Sequence, residues 1–202
     1  MDNGTLSEKS CTDLHNIVME FRNILDGIAH DFYRHREEFL SEVEKLSATT
    51  VSSMKKSVLQ IPLLKGALIN EATGKYDVMR DLEYIRLNLE KIMRSTQDKV
   101  NRSVLFSNWA VEELDILFDG AKKTLSSLAD YVKQCCEKGR SGLVEEADRQ
   151  IGNCFNFTKQ HEDRFIKGIC TPESSVIYQS MLDAFRNIFM HVKSCVVKMY
   201  GI

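Results

Sequence analysis

Apolar residues recur at intervals of three and four along almost the whole chain. The clearest run is Val78, Leu82, Ile85, Leu89 and Ile92, which places five apolar side chains on one stripe of a helix. Tyr178, Leu182, Phe185, Phe189 and Val192 repeat that spacing. Two more stripes run through Leu14, Ile17, Phe21, Ile24, Ile28 and Phe32, and through Leu114, Leu117, Ala121, Leu125, Leu128 and Val132. Strand-like alternation of apolar and polar positions is absent. Only 2 prolines and 10 glycines punctuate the 202 residues, so the helices are expected to be long.

Breaks are expected where helix-ending chemistry is available. Ser47-Ala48-Thr49-Thr50 offers hydroxyls that accept from free backbone amides. Gly74 permits the positive φ of a helix terminus, and Gly139-Arg140-Ser141-Gly142 reads as a turn. Thr171-Pro172 places a capping hydroxyl before a proline at a first helical position. These signals predict six helices, near 9–46, 49–70, 75–99, 104–138, 142–169 and 173–200. Pro62 should kink the second, because it lacks an amide hydrogen and crowds the preceding turn.

The two halves of the chain echo one another. Leu82-Glu83-Tyr84-Ile85-Arg86 returns as Leu182-Asp183-Ala184-Phe185-Arg186, and Ile24-Leu25-Asp26-Gly27 as Leu117-Phe118-Asp119-Gly120. Leu64-Lys65-Gly66-Ala67 returns as Ile166-Lys167-Gly168-Ile169. In chain order the separations are 93, 102 and 100 positions, which points to a duplicated unit of roughly one hundred residues. The expected fold is therefore all-α, built from two tandem antiparallel three-helix bundles over 1–99 and 100–202, with the boundary near 95–103.

Composition narrows the function classes. A net charge of -2, with no long block of one sign, lacks the basic excess of a nucleic-acid binder. No apolar run approaches the roughly 20 residues that span a bilayer. The N-terminus lacks the basic-then-apolar order of a signal peptide, so a cytoplasmic location without direct membrane insertion is expected. The 6 cysteines lack metal-site spacing and read as small hydrophobes of a reducing compartment.

No glycine-rich phosphate loop, Cys-x-x-Cys or nucleophile elbow is present, and the 5 histidines form no Glu-x-x-His pair. An enzyme is not expected. The acids hold more interest: Glu83 and Asp183 occupy equivalent places in the echo, each three residues before an arginine, and Glu145, Glu146 and Asp148 cluster on one segment. Carboxylates on neighbouring helices could converge on a cation, or form solvated ion pairs at i,i+3 spacing.

A doubled three-helix unit with an apolar-acidic motif in each third helix resembles the PhoU family, which includes phosphate-transport accessory proteins and the cytosolic domains of sodium/phosphate cotransporters. Leu82-Glu83-Tyr84-Ile85-Arg86-Leu87 and Leu182-Asp183-Ala184-Phe185-Arg186-Asn187 stand where that family carries its motif. Glu145 through Gly152 resembles the acidic patch of its second helix, and Thr171-Pro172 the opening of its third. The resemblance implies a regulator working through contacts with a membrane phosphate transporter or a sensor kinase, peripheral to the inner face of the membrane. A homodimer is compatible with such a surface. It also implies metal ligands at Glu83, Asp148 and Asp183, for a divalent or ferric ion. The second acid of each motif is replaced, by Leu87, Gly152 and Asn187, so any such site is reduced. A metal-binding bundle and a helical interaction protein of other ancestry are the alternatives.

Overall fold

A computed structural model describes residues 8–38, 41, 43–45, 48, 50, 52, 69–134 and 140–199. All regular structure among them is α-helical. Five helices are followed from end to end: α1 (Glu8–Arg34), α2 (Ile69–Asn101), α3 (Asn108–Gln134), α4 (Arg140–Ile166) and α5 (Pro172–Lys198). Ser41, Val43, Glu44, Lys45, Ala48, Thr50 and Ser52 are helical too; the first four fall in the span expected of the first helix, and Ala48 and Thr50 are helical where a break was expected. Pro62, its expected kink and the Leu64–Ala67 echo lie outside the described residues.

The four apolar stripes are buried throughout and supply most of the core. Phe21, Phe32, Phe118, Tyr178, Phe185 and Phe189 are its largest fully enclosed side chains. Phe118 meets Phe32 at 5.5 Å and Phe185 at 5.0 Å, so aromatic rings join the two halves.

Three expected helix boundaries are corrected. The first helix ends at Arg34, not near 46, and His35 takes a left-handed conformation with φ 54°. The amide of Arg36 then returns to the carbonyl of Asp31, which closes the helix without a glycine. Lys99 from α2 adds a second closure, donating to the Phe32 carbonyl at 3.0 Å. Ser103 ends α2 and Gly168 ends α4 in the same left-handed way, at φ 51° and 70°. The second correction is at Gly74, which lies inside α2 instead of preceding it. Arg140-Ser141-Gly142 likewise begin α4 and do not form a turn. The start of α5 is as expected: Thr171 accepts from the Ser174 amide and Pro172 occupies the first turn.

α1 packs mainly on α3, and α2 mainly on α5, both antiparallel; α4 lies across α3 and α5. α3, α4 and α5 thus make an antiparallel three-helix unit. Along α2 and α5 the sequence separation of bonded partners falls from 117 (Val78–Cys195) through 110 (Asp81–His191) and 99 (Asn88–Asn187) to 85 (Ser95–Ser180). The helices therefore cross at mid-length near the echo's own spacing of 100, where Asn187 donates to Asn88 at 3.3 Å. Along α1 and α3 the separation runs from 114 (His15–Ala129) to 82 (Tyr33–Asp115) and spans the echo's 93. Gly120, the echo of Gly27, allows α4 to approach closely, since a Cβ there would stand 2.5 Å from the Gln150 side chain.

Candidate functional site

The motif acids are spread over the surface, each held by a cation. Arg86 of α2 donates to both oxygens of Glu83, at 3.0 and 2.8 Å, and also to Glu90. Arg186 of α5 donates to Asp183 at 2.8 Å. Asp148 of α4 is bonded twice by Lys193 of α5, at 2.7 and 2.8 Å. The three carboxylate side chains are 42–51% exposed, so each acid is solvated on a helix face, although the Arg86 side chain is itself buried. Among the described residues no three His, Cys, Asp or Glu side chains stand close enough to hold one ion. Glu83, Asp148 and Asp183 do not form a shared donor set. Leu87 is exposed, Asn187 is engaged with Asn88, and a Cβ on Gly152 would meet open space.

The structure instead gathers polar chemistry in two buried places that the motifs did not indicate. One is Asp81 of α2, which is 3% exposed and faces α5. His191 Nδ1 lies 2.9 Å from one of its oxygens and Lys198 donates to the other at 2.7 Å. Burial pushes the Asp81 carboxyl up, but hydrogen bonds from His191, Lys198 and Ser194 outweigh it and leave it below the usual carboxylate range. Tyr84 stacks on the His191 ring at 4.7 Å, so α2 grips the imidazole from two sides.

The other lies at the start of α3, the end of α4 and the start of α5. Glu113 is buried and takes both terminal nitrogens of Arg164, at 2.8 and 2.5 Å, in a bidentate fork. The Tyr178 hydroxyl donates to the same carboxylate. That bond ties the phenol into the ion pair, and burial together with Glu113 pushes the Tyr178 hydroxyl far up. The Glu113 carboxylate holds the Arg164 guanidinium even more firmly protonated than usual.

His161 packs its ring 4.6 Å from that of Tyr178, and its Nδ1 lies 3.8 Å from Cys170 Sγ. Burial, then the nearby Arg164 charge, lower the His161 pKa and favour the neutral imidazole. A cavity of about 150 Å³ opens here, lined among others by Phe106, Ser107, His161, Cys170, Thr171 and Tyr178. Cys154 and Cys195 differ from Cys170: both are buried, and burial pushes the Cys154 thiol up to about 12. Sequence reasoning treated His161 and Cys170 as ordinary residues. Nothing local marks them, because their partners come from three different helices and a turn.

No described helix is long and apolar enough to cross a membrane. No family model, no curated protein and no solved structure matches the chain.

Proposed function

We propose that the chain is a PhoU-like regulatory or adaptor protein, acting on phosphate uptake or phosphate signalling by presenting helix faces to a membrane phosphate transporter or its sensor kinase. The observation that carries this reading is the antiparallel pairing of α2 with α5, the two helices that hold the sequence echo. The separation of bonded partners along them runs from 117 to 85 and passes the echo's spacing of 100 at mid-length, beside Asn88 and Asn187. An internal two-fold axis between duplicated units would pair equivalent helices in this antiparallel way. Duplicated three-helix units are what the PhoU resemblance implies.

The faces available for contact carry apolar side chains. Tyr84 and Leu87 on α2 and Met190 on α5 are each more than 40% exposed, and all three lie within four residues of the Asn88–Asn187 contact. A partner helix laid along this face would find apolar anchors between the Glu83–Arg86 and Asp183–Arg186 pairs. The protein would act in the cytoplasm, reaching the inner face of the membrane through its partner. The test is co-purification of the tagged chain with the transporter and sensor kinase of its own cell. Association that is lost in a Leu87→Asp, Met190→Asp double variant supports the reading. Absence of association, together with an unchanged phosphate response on deletion, rejects it.

A further inference from the structure

The cavity beside Cys170 joins four features that the adaptor reading does not use. Cys170 is partly exposed, so its thiol is reachable. His161 stands against it, with Nδ1 at 3.8 Å from Sγ. The His161 side chain lines the cavity, is only 3% exposed, and its Nε2 has no hydrogen-bond partner. A buried polar atom left in that state is costly unless something in the site satisfies it. Finally, two 27-residue helices begin at the cavity wall. Ser107 Oγ accepts from the Ala110 amide at 3.3 Å where α3 starts, and Thr171 Oγ1 accepts from the Ser174 amide at 3.2 Å where α5 starts. Ser107, Ala110, Thr171 and Ser174 all line the cavity, so the positive ends of two helix dipoles meet there.

From this geometry we infer that Cys170 is a modification site, oxidised by a small hydroperoxide that enters the cavity, with His161 as the proton carrier. The thiol proton passes to His161 Nδ1, and the sulfur attacks the terminal oxygen of the hydroperoxide. An S–O bond forms as the O–O bond breaks. The leaving alkoxide takes the proton back from the His161 imidazolium. The balance is one thiol and one hydroperoxide giving one sulfenic acid and one alcohol, or water when the oxidant is hydrogen peroxide. Each feature has a part in that step. A neutral imidazole is the form that can accept the proton, and burial beside Arg164 favours it. The two helix N-termini face the cavity in which negative charge develops on the departing oxygen. The sulfenic acid adds an oxygen to a cavity that has room for it, beside the Ser107, Thr171 and Ser174 hydroxyls. The other described thiols, Cys154 and Cys195, are enclosed in the core and are not placed to condense with it.

The experiment is a site-resolved labelling race. The reduced full chain is exposed to hydrogen peroxide in the presence of dimedone, and labelling of each cysteine peptide is followed by mass spectrometry, with glutathione in the same buffer. Cys170 is expected to label at least about tenfold faster than glutathione, and faster than Cys154 or Cys195. His161→Gln, checked for retained helicity, is expected to slow Cys170 by at least about tenfold, the lower side of what a positioned acid–base group contributes. Labelling of Cys170 no faster than glutathione overturns the inference, as does an unchanged rate in a folded His161→Gln protein. The comparison of the unaltered chain with glutathione needs no variant, so it decides the matter even where the substitution prevents folding. None of these outcomes depends on whether a transporter partner is found.

Discussion

The acids on the outer faces of α2, α4 and α5 and the acids inside the helix contacts make different use of the same side chain. Glu83 and Asp183 each meet an arginine three residues on, and Asp148 meets Lys193 across the α4–α5 contact, and all three carboxylates have water at hand. Glu113 and Asp81 are closed off from water, and their cations and hydroxyls arrive from other helices. An exposed pair gains little, because solvent would have satisfied both partners anyway. A buried pair is different: removing one partner strands the other in a poorly polarisable interior. Position in the fold, not the recurrence of a motif, decides which carboxylates the molecule depends on.

The largest expected effect comes from breaking the Glu113 cluster. Glu113→Ala strands the Arg164 guanidinium and the Tyr178 hydroxyl, and should lower unfolding free energy by about 3–5 kcal/mol in urea titration. Asp81→Asn keeps the shape but removes the charge that draws in Lys198 and His191, and should cost about 1–3 kcal/mol by the same measurement. It should also change acid sensitivity. In the unfolded chain Asp81 titrates near 3.8, and in the fold it titrates lower. Its stabilising contribution is therefore full above about pH 3.8 and is lost as the pH falls through the folded value, a loss that Asp81→Asn should remove.

A smaller effect is expected at His161. The unfolded chain takes up a proton near pH 6.5, and burial beside Arg164 denies it in the folded protein. Stability should therefore decline as pH falls below 6.5, and thermal melts of His161→Gln should show a shallower decline. His35, lowered by burial and by Lys99, would account for part of what remains. The smallest effect is expected from the motif acids together. The triple variant Glu83→Gln, Asp148→Asn, Asp183→Asn should lose less than about 1.5 kcal/mol, since exposed pairs contribute a few tenths each.

The apolar rhythm was enough to place the helices and their buried faces, because packing demands a stripe every three to four residues and nothing local opposes it. Thr171-Pro172 was legible for the same reason, since a hydroxyl before a proline acts on its own first turn. The end of α1 was not: His35 holds a conformation usually left to glycine, and part of what closes the helix is Lys99, far along the chain. The acids at i,i+3 from an arginine were easy to find and proved to be surface pairs. Tyr178 shows only as one position of an apolar stripe, and Glu113, Arg164, His161 and Cys170 leave no periodic trace, because their partners lie on other elements of the chain. Their meeting is a property of how α3, α4 and α5 are stacked.

The contrast between the two sets of acids is tested most directly by two double-mutant cycles run side by side in urea, Glu113→Gln with Arg164→Met and Asp183→Asn with Arg186→Met. The coupling between Glu113 and Arg164 should be at least about 1.5 kcal/mol, and that between Asp183 and Arg186 no more than about 0.5 kcal/mol. Equal couplings in the two cycles would contradict the account.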